Sequence, residues 1–135
     1  MNYQDFVRLI KRADDLMASN KYLEAEDALY PFLTSDISDI DKATICSKLA
    51  IIHDRTGNSQ EVLEWFDKGI TYEQLYFRYE LAKEKARYLA DLGHCMEAVP
   101  IYEDLLKQAY VTEAEKEELR KEIKNLLSRA IGQWK

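Results

Sequence analysis

The thiols and imidazoles of this 135-residue chain, its candidate soft metal ligands and nucleophiles, are four: Cys46, His53, His94 and Cys95. A tetrahedral site draws its ligands from close pairs such as C-x-x-C or H-x-x-x-H. Neither pattern occurs. Cys46 and His53 fall on the inward stripe of a helical segment, where a thiol is a small hydrophobe and an imidazole a packed core group. His94 and Cys95 fall in a turn, which predicts a solvated imidazole and a partly exposed thiol. Acidic neighbours such as Asp14-Asp15, Glu26-Asp27 and Glu117-Glu118 do not make acid–base dyads, because adjacent residues on a helix point apart. Gly57, Gly69, Gly93 and Gly132 each stand alone, so no glycine-rich phosphate loop can form. The expectation is a non-enzymatic protein with no metal site and no cofactor.

The elements that carry these residues follow from composition. Only 4 Gly and 2 Pro occur, while 47% of residues are hydrophobic and 33% charged. So few chain breakers predict long helices in a globular chain rather than hairpin turns or disorder. The net charge of −6, from 19 basic and 25 acidic residues, argues against a nucleic-acid partner. The longest apolar runs are short, such as Leu49-Ala50-Ile51-Ile52, so no membrane span is expected. The start of the chain lacks a signal-peptide pattern and two cysteines cannot build a disulfide scaffold. A single cytoplasmic domain over 1–135 is the expectation.

Apolar spacing predicts seven helices. The first runs from Asn2 to Ser19 with Phe6, Leu9, Ala13, Leu16 and Met17 inward. The second starts near Tyr22, carries Ala25, Ala28, Leu29, Phe32 and Leu33 inward, and should kink or end at Pro31. The third is capped by Ser38 and buries Ile45, Cys46, Leu49, Ala50, Ile52 and His53. The fourth, capped by Ser59, carries Val62, Leu63, Phe66 and Ile70. Thr71 with Gln74 reads as a capping box that opens the fifth, with Tyr76, Ala82, Ala86 and Leu89 inward. The sixth spans about Met96 to Tyr110, with Pro100 in a tolerant first turn. The seventh opens at Thr112 with Glu115 and shows a stripe of Leu119, Ile123, Leu126, Leu127, Ala130, Ile131 and Trp134.

The turns repeat. Asn20, Gly57 and Gly93 lie 37 and 36 residues apart. Each is followed by Glu four places on (Glu24, Glu61, Glu97) and then by Ala25, Val62 or Ala98. Seven places upstream stand Ala13, Ala50 and Ala86; nine places downstream stand Leu29, Phe66 and Tyr102. A small residue lets two helices approach and a large one fills the space beside them. This pattern resembles the tetratricopeptide repeat family, whose period is about 34 residues. The resemblance implies an all-α fold: a right-handed α-solenoid of three antiparallel hairpins, at about 6–35, 43–72 and 79–111, with a capping helix over 112–134. The helices alone are also compatible with a plain antiparallel bundle or another α-solenoid.

The same resemblance implies a partner. In that family the first helix of each hairpin lines a concave groove for a peptide or helix of another protein. Carried over by register, the groove residues are Ile10, Asp14 and Met17; then Thr44, Ser47, Lys48, Ile51 and Arg55; then Glu80, Lys83, Glu84, Arg87 and Asp91. Members that clamp a chaperone's terminal carboxylate use Lys, Asn and Arg at five of these slots. Here those slots hold Ile10, Asp14, Lys48, Glu80 and Glu84, and the three acids would repel such a ligand. The function expected is that of an adaptor or scaffold. The alternative is a self-assembling structural unit, paired through the capping helix or through a second surface at Tyr72, Tyr76 and Tyr79.

Overall fold

Asn2 starts the first helix by accepting the Asp5 backbone N–H on its side-chain oxygen at 2.9 Å. From there the computed structural model describes residues 2–133. Among the described residues there are α1 (Tyr3–Ala18), α2 (Tyr22–Leu29), a 3-10 segment (Tyr30–Thr34), α3 (Asp39–Arg55), α4 (Ser59–Gln74), α5 (Glu80–Asp91), α6 (Cys95–Leu106) and α7 (Glu113–Gln133), and no strand. The protein is thus all-α, with seven α-helices among those residues. None is long and apolar enough to cross a membrane.

The three aligned turns adopt one geometry. Asn20, Gly57 and Gly93 all lie in the left-handed region, with φ of 61°, 84° and 87°. The residue after each donates its N–H five residues back: Lys21 to Leu16, Asn58 to His53 and His94 to Leu89, all at 2.8 Å. This is the Schellman ending, which satisfies helix carbonyls and favours Gly or Asn at the left-handed position. A fourth copy ends α4, where Arg78 donates to the Glu73 carbonyl at 3.1 Å. There the left-handed residue is Phe77, at φ 58°. A bulky side chain at positive φ is strained.

The chain divides into two units, Met1–Arg78 and Tyr79–Lys135. In the N-terminal unit α1 packs on α2, α2 on α3, and α3 on α4. Ala13, Ala25 and Leu29 are completely buried there, as are Ile45, Cys46, Leu49, Ala50 and Ile52. All six residues expected inward on α3 are buried. In the C-terminal unit α5 packs on α6 and α6 on α7. Ala86, Ala98 and Tyr102 sit in that core with Leu119, Leu126 and Ala130 of α7.

Several expectations are corrected. The fifth helix does not begin at Thr71; α4 continues through Gln74, and the Thr71 hydroxyl donates to the Asp67 carbonyl at 3.0 Å. Mid-helix threonines bond back over four residues in this way, and in sequence they look like caps. Tyr76 therefore lies in the turn after α4, exposed rather than inward. Ser59 is the first residue of α4, and Asn58 precedes it as N-cap with no side-chain bond to the helix, its amide donating instead to the Thr56 hydroxyl at 3.3 Å. Pro100 is the sixth residue of α6, past the first turn. It is exposed, as is Met96, whose carbonyl Pro100 cannot serve and water can. Cys95 is buried, because it opens α6 rather than ending the turn. On α7, Leu127 and Ile131 are 40% and 57% exposed, outside the stripe expected of them. Trp134 lies outside the described residues.

Candidate binding site

A cavity with largely apolar walls belongs to the N-terminal unit. It encloses about 450 Å3 and is lined by Tyr30, Pro31, Leu33, Thr34, Cys46, Trp65, Lys68, Thr71 and Tyr72. Local chain chemistry builds it. Pro31 cannot continue α2, so the chain tightens into the 3-10 segment and brings Tyr30, Leu33 and Thr34 to one wall. Trp65, Lys68 and Tyr72, spaced i, i+3, i+7, form a single stripe of α4 and make the opposite wall. Cys46 on α3 adds a fully buried thiol.

Trp65 organises the rings. Tyr30 meets it edge-on at 6.0 Å between centroids and an interplanar angle of 89°. His53 stacks nearly parallel to it, at 6.4 Å and 15°. Buried His53 is held in turn by carboxylates: its Nδ1 lies 2.7 Å from Glu61 and its Nε2 lies 3.6 Å from Glu26. The histidine is a cross-brace between α2, α3 and α4, positioned behind the tryptophan.

The polar groups of this cavity are few. Thr34 donates to the Pro31 carbonyl at 3.2 Å and Thr71 to the Asp67 carbonyl, so both threonine hydroxyl protons are used, and the phenols of Tyr30 and Tyr72 are the remaining hydroxyls of the lining. Burial pushes the Cys46 thiol up to about 11, against the opposing pull of Lys68, so it is a neutral hydrophobe at neutral pH. Lys68 is the one charged group. Its Nζ sits 4.7 Å from the centre of the Trp65 ring, a cation–π arrangement. Among the described residues it makes no ion pair.

A second cavity, of about 270 Å3, lies within the C-terminal unit between Tyr79, Lys83, Arg87, Tyr102, Glu115, Glu118, Leu119 and Glu122. Its two cations already have partners. Lys83 lies 3.5 Å from Glu80 and 5.4 Å from the Tyr79 ring centre. Burial raises the Tyr102 hydroxyl pKa, Glu122 adds to the rise, and a hydrogen bond and charge from Arg87 oppose it.

The sequence-derived groove residues separate into several settings. On α1, Ile10 and Met17 are half-buried, and exposed Asp14 reaches Lys48 of α3 at 2.7 Å. On α3, Thr44 and Ser47 are half-buried, and Ile51 and Arg55 are exposed. On α5, Glu80, Arg87 and Asp91 are exposed, while Lys83 and Glu84 are half-buried. Tyr72 belongs to α4 and lines the N-terminal cavity, Tyr76 is exposed in the following turn, and Tyr79 is the N-cap of α5 and lines the C-terminal cavity. Sequence reasoning missed the Tyr30–Trp65–Lys68 cluster. Its signal was the 65/68/72 stripe, which runs beside the inward Val62–Phe66 stripe of the same helix. Among the described residues no group of three or more His, Cys, Asp or Glu could hold a metal ion. Comparison with protein-family models, curated proteins and solved structures finds no match for this chain.

Proposed function

We propose that this chain is a non-enzymatic protein-interaction module that holds a segment of another protein, as an adaptor or scaffold. In this reading it is a degenerate tetratricopeptide-like array, a right-handed α-solenoid with α7 as its cap. One observation carries it: the three turns at Asn20, Gly57 and Gly93 share a left-handed residue and a Schellman bond, and the alanines seven places before each are fully buried. Equivalent turns at a fixed period support a repeat, and stacked hairpin repeats present extended surfaces that bind proteins. The exposed members of the repeat faces, among them Asp14, Ile51 at 41%, Arg55, Glu80, Arg87 and Asp91, are the residues such a partner would meet.

The test is affinity capture from the source cell's lysate with mass spectrometry, comparing the wild type with Ile51→Glu and Tyr30→Ala. Both sites are exposed, so circular dichroism should show an unchanged fold. A protein retained by the wild type and lost by a variant is the expected result. Retention of nothing but the chain itself would contradict it. Charge reversal at Arg87 is a poorer probe, because Arg87 also bonds buried Tyr102.

A second reading, self-assembly, draws on α7. Leu127 and Ile131 lie four residues apart, so they share an exposed face. Light scattering on the wild type and on Leu127→Lys tests it: a dimer that the substitution disperses supports pairing through this face, and a monomer at high concentration removes the reading.

A further inference from the structure

The N-terminal cavity selects for one kind of occupant. Its walls are rings and aliphatic groups: Tyr30, Trp65 and Tyr72 with Pro31 and Leu33. Its hydroxyl protons at Thr34 and Thr71 are already donated to backbone carbonyls. A neutral polar ligand would surrender its hydrogen bonds to water and find, besides Lys68, few side-chain donors in the lining, among them the Tyr30 and Tyr72 hydroxyls. An aromatic ring gives up none, and the volume of about 450 Å3 lies in the range of ligand pockets, roughly 300–1,000 Å3. Tyr30 is 55% exposed although Trp65 holds its ring in place. A fixed, uncovered tyrosine beside a tryptophan is the composition of an interface anchor site.

Lys68 supplies the sign. It stands over Trp65 with no carboxylate of the described chain paired to it. A cationic ligand group would be repelled there, and an anionic one would gain a partner. The whole chain carries −6, which repels a strongly acidic segment at long range. The charge complement is thus a single carboxylate beside the anchor, not an acidic tract.

We propose that this cavity seats an aromatic side chain from an internal segment of a partner protein, with a neighbouring Asp or Glu of that segment paired to Lys68. The inference rests on the interaction-module reading and names the chemistry of the partner. The affinity is set by the ring in the cavity, and the choice among aromatic segments is set by Lys68.

Trp65 itself reports occupancy. In a Trp134→Phe background it is the one tryptophan left of two. The probes are acetyl-Gly-Phe-Asp-Gly-amide, the same peptide with Ala for Phe or Asn for Asp, and acetyl-Gly-Gly-Phe with a free terminal carboxylate. The Phe-Asp peptide should shift Trp65 fluorescence saturably. Alanine for Phe should weaken binding more than tenfold, and Asn for Asp about three- to fivefold, the worth of an exposed ion pair. Lys68→Ala should bind the Asp and Asn peptides equally while keeping the Phe requirement. Tyr30→Ala should weaken every Phe peptide. An Asp-over-Asn preference that survives Lys68→Ala overturns the proposal. So does tighter binding of the free-carboxylate peptide, which would assign the site to a chain terminus. No response from Trp65, in a protein whose captured partner ignores both Tyr30→Ala and Lys68→Ala, overturns it while leaving the interaction module standing.

Discussion

The cavity at Trp65 contains one cation and no carboxylate in its walls, whereas the cavity at Tyr102 contains two cations and three carboxylates. Both draw their walls from more than two elements of their unit, and both include two tyrosines in the lining. The chemistry differs because of what each charge already has. Lys83 and Arg87 are answered by Glu80 and by the Tyr102 hydroxyl, with Glu115, Glu118 and Glu122 alongside. Such a cavity is a polar brace: a ligand entering it must break pairs already made. Lys68 is answered only by a ring face. A ligand entering there replaces water against apolar walls and gains a charge partner. The lesson is that saturation, more than size or residue type, separates a binding cavity from a structural one.

The largest expected effect breaks the first cavity outright. Trp65→Ala removes the ring that Tyr30, His53 and Lys68 all rest on, and should cost about 3–5 kcal/mol in urea denaturation. A loss under about 1 kcal/mol would mean that Trp65 organises nothing. Next in size is a pH effect. Cys46 titrates near 9.0 when unfolded and near 11 in the fold. The folded thiol holds its proton while the unfolded chain releases it, so this stabilisation is present below pH 9 and drains away as pH rises toward 11. The loss should reach about 2–3 kcal/mol. Cys46→Ala should flatten the stability profile where the decline starts, near pH 9, and leave the later fall due to Tyr102, whose pKa is also raised. A profile unchanged by Cys46→Ala would refute the assignment.

The second cavity is broken more gently. Arg87→Glu replaces the donor to buried Tyr102 with a carboxylate near Glu122 and should cost about 1–3 kcal/mol, where Arg87→Gln should cost less. Equal costs would mean that charge matching does not hold this unit. Smallest is a gain. Phe77→Gly places at the α4 ending the residue type found at Gly57 and Gly93, and thermal melts should show stabilisation of about 0.5–1 kcal/mol. Destabilisation would mean that the Phe77 ring contributes more than its backbone strain costs.

Much of the fold was legible because it is local. The cap at Ser38, the break at Pro31 and the left-handed turns are written in single residues and short spacings. The stripe of α3 was legible because that helix is covered along a broad face. Thr71 misled because a back-bonded mid-helix threonine and an N-cap threonine share one sequence signature. The cavity was not legible: its walls lie at 30–34 and 65–72, and they meet only after Pro31 tightens the chain. Nor was the partner of His53, since Glu26 and Glu61 come from two other helices.

The contrast between the cavities is tested most directly by mapping backbone and indole N–H shifts in a two-dimensional NMR titration with acetyl-Gly-Phe-Asp-Gly-amide. The saturated cavity should stay silent and the unsaturated one respond. Shifts confined to 30–34, Cys46 and 65–72, led by the Trp65 indole, are the predicted result. Shifts centred on Lys83, Arg87 and 115–122 would contradict it, and would make the charge-rich cavity the binding site instead.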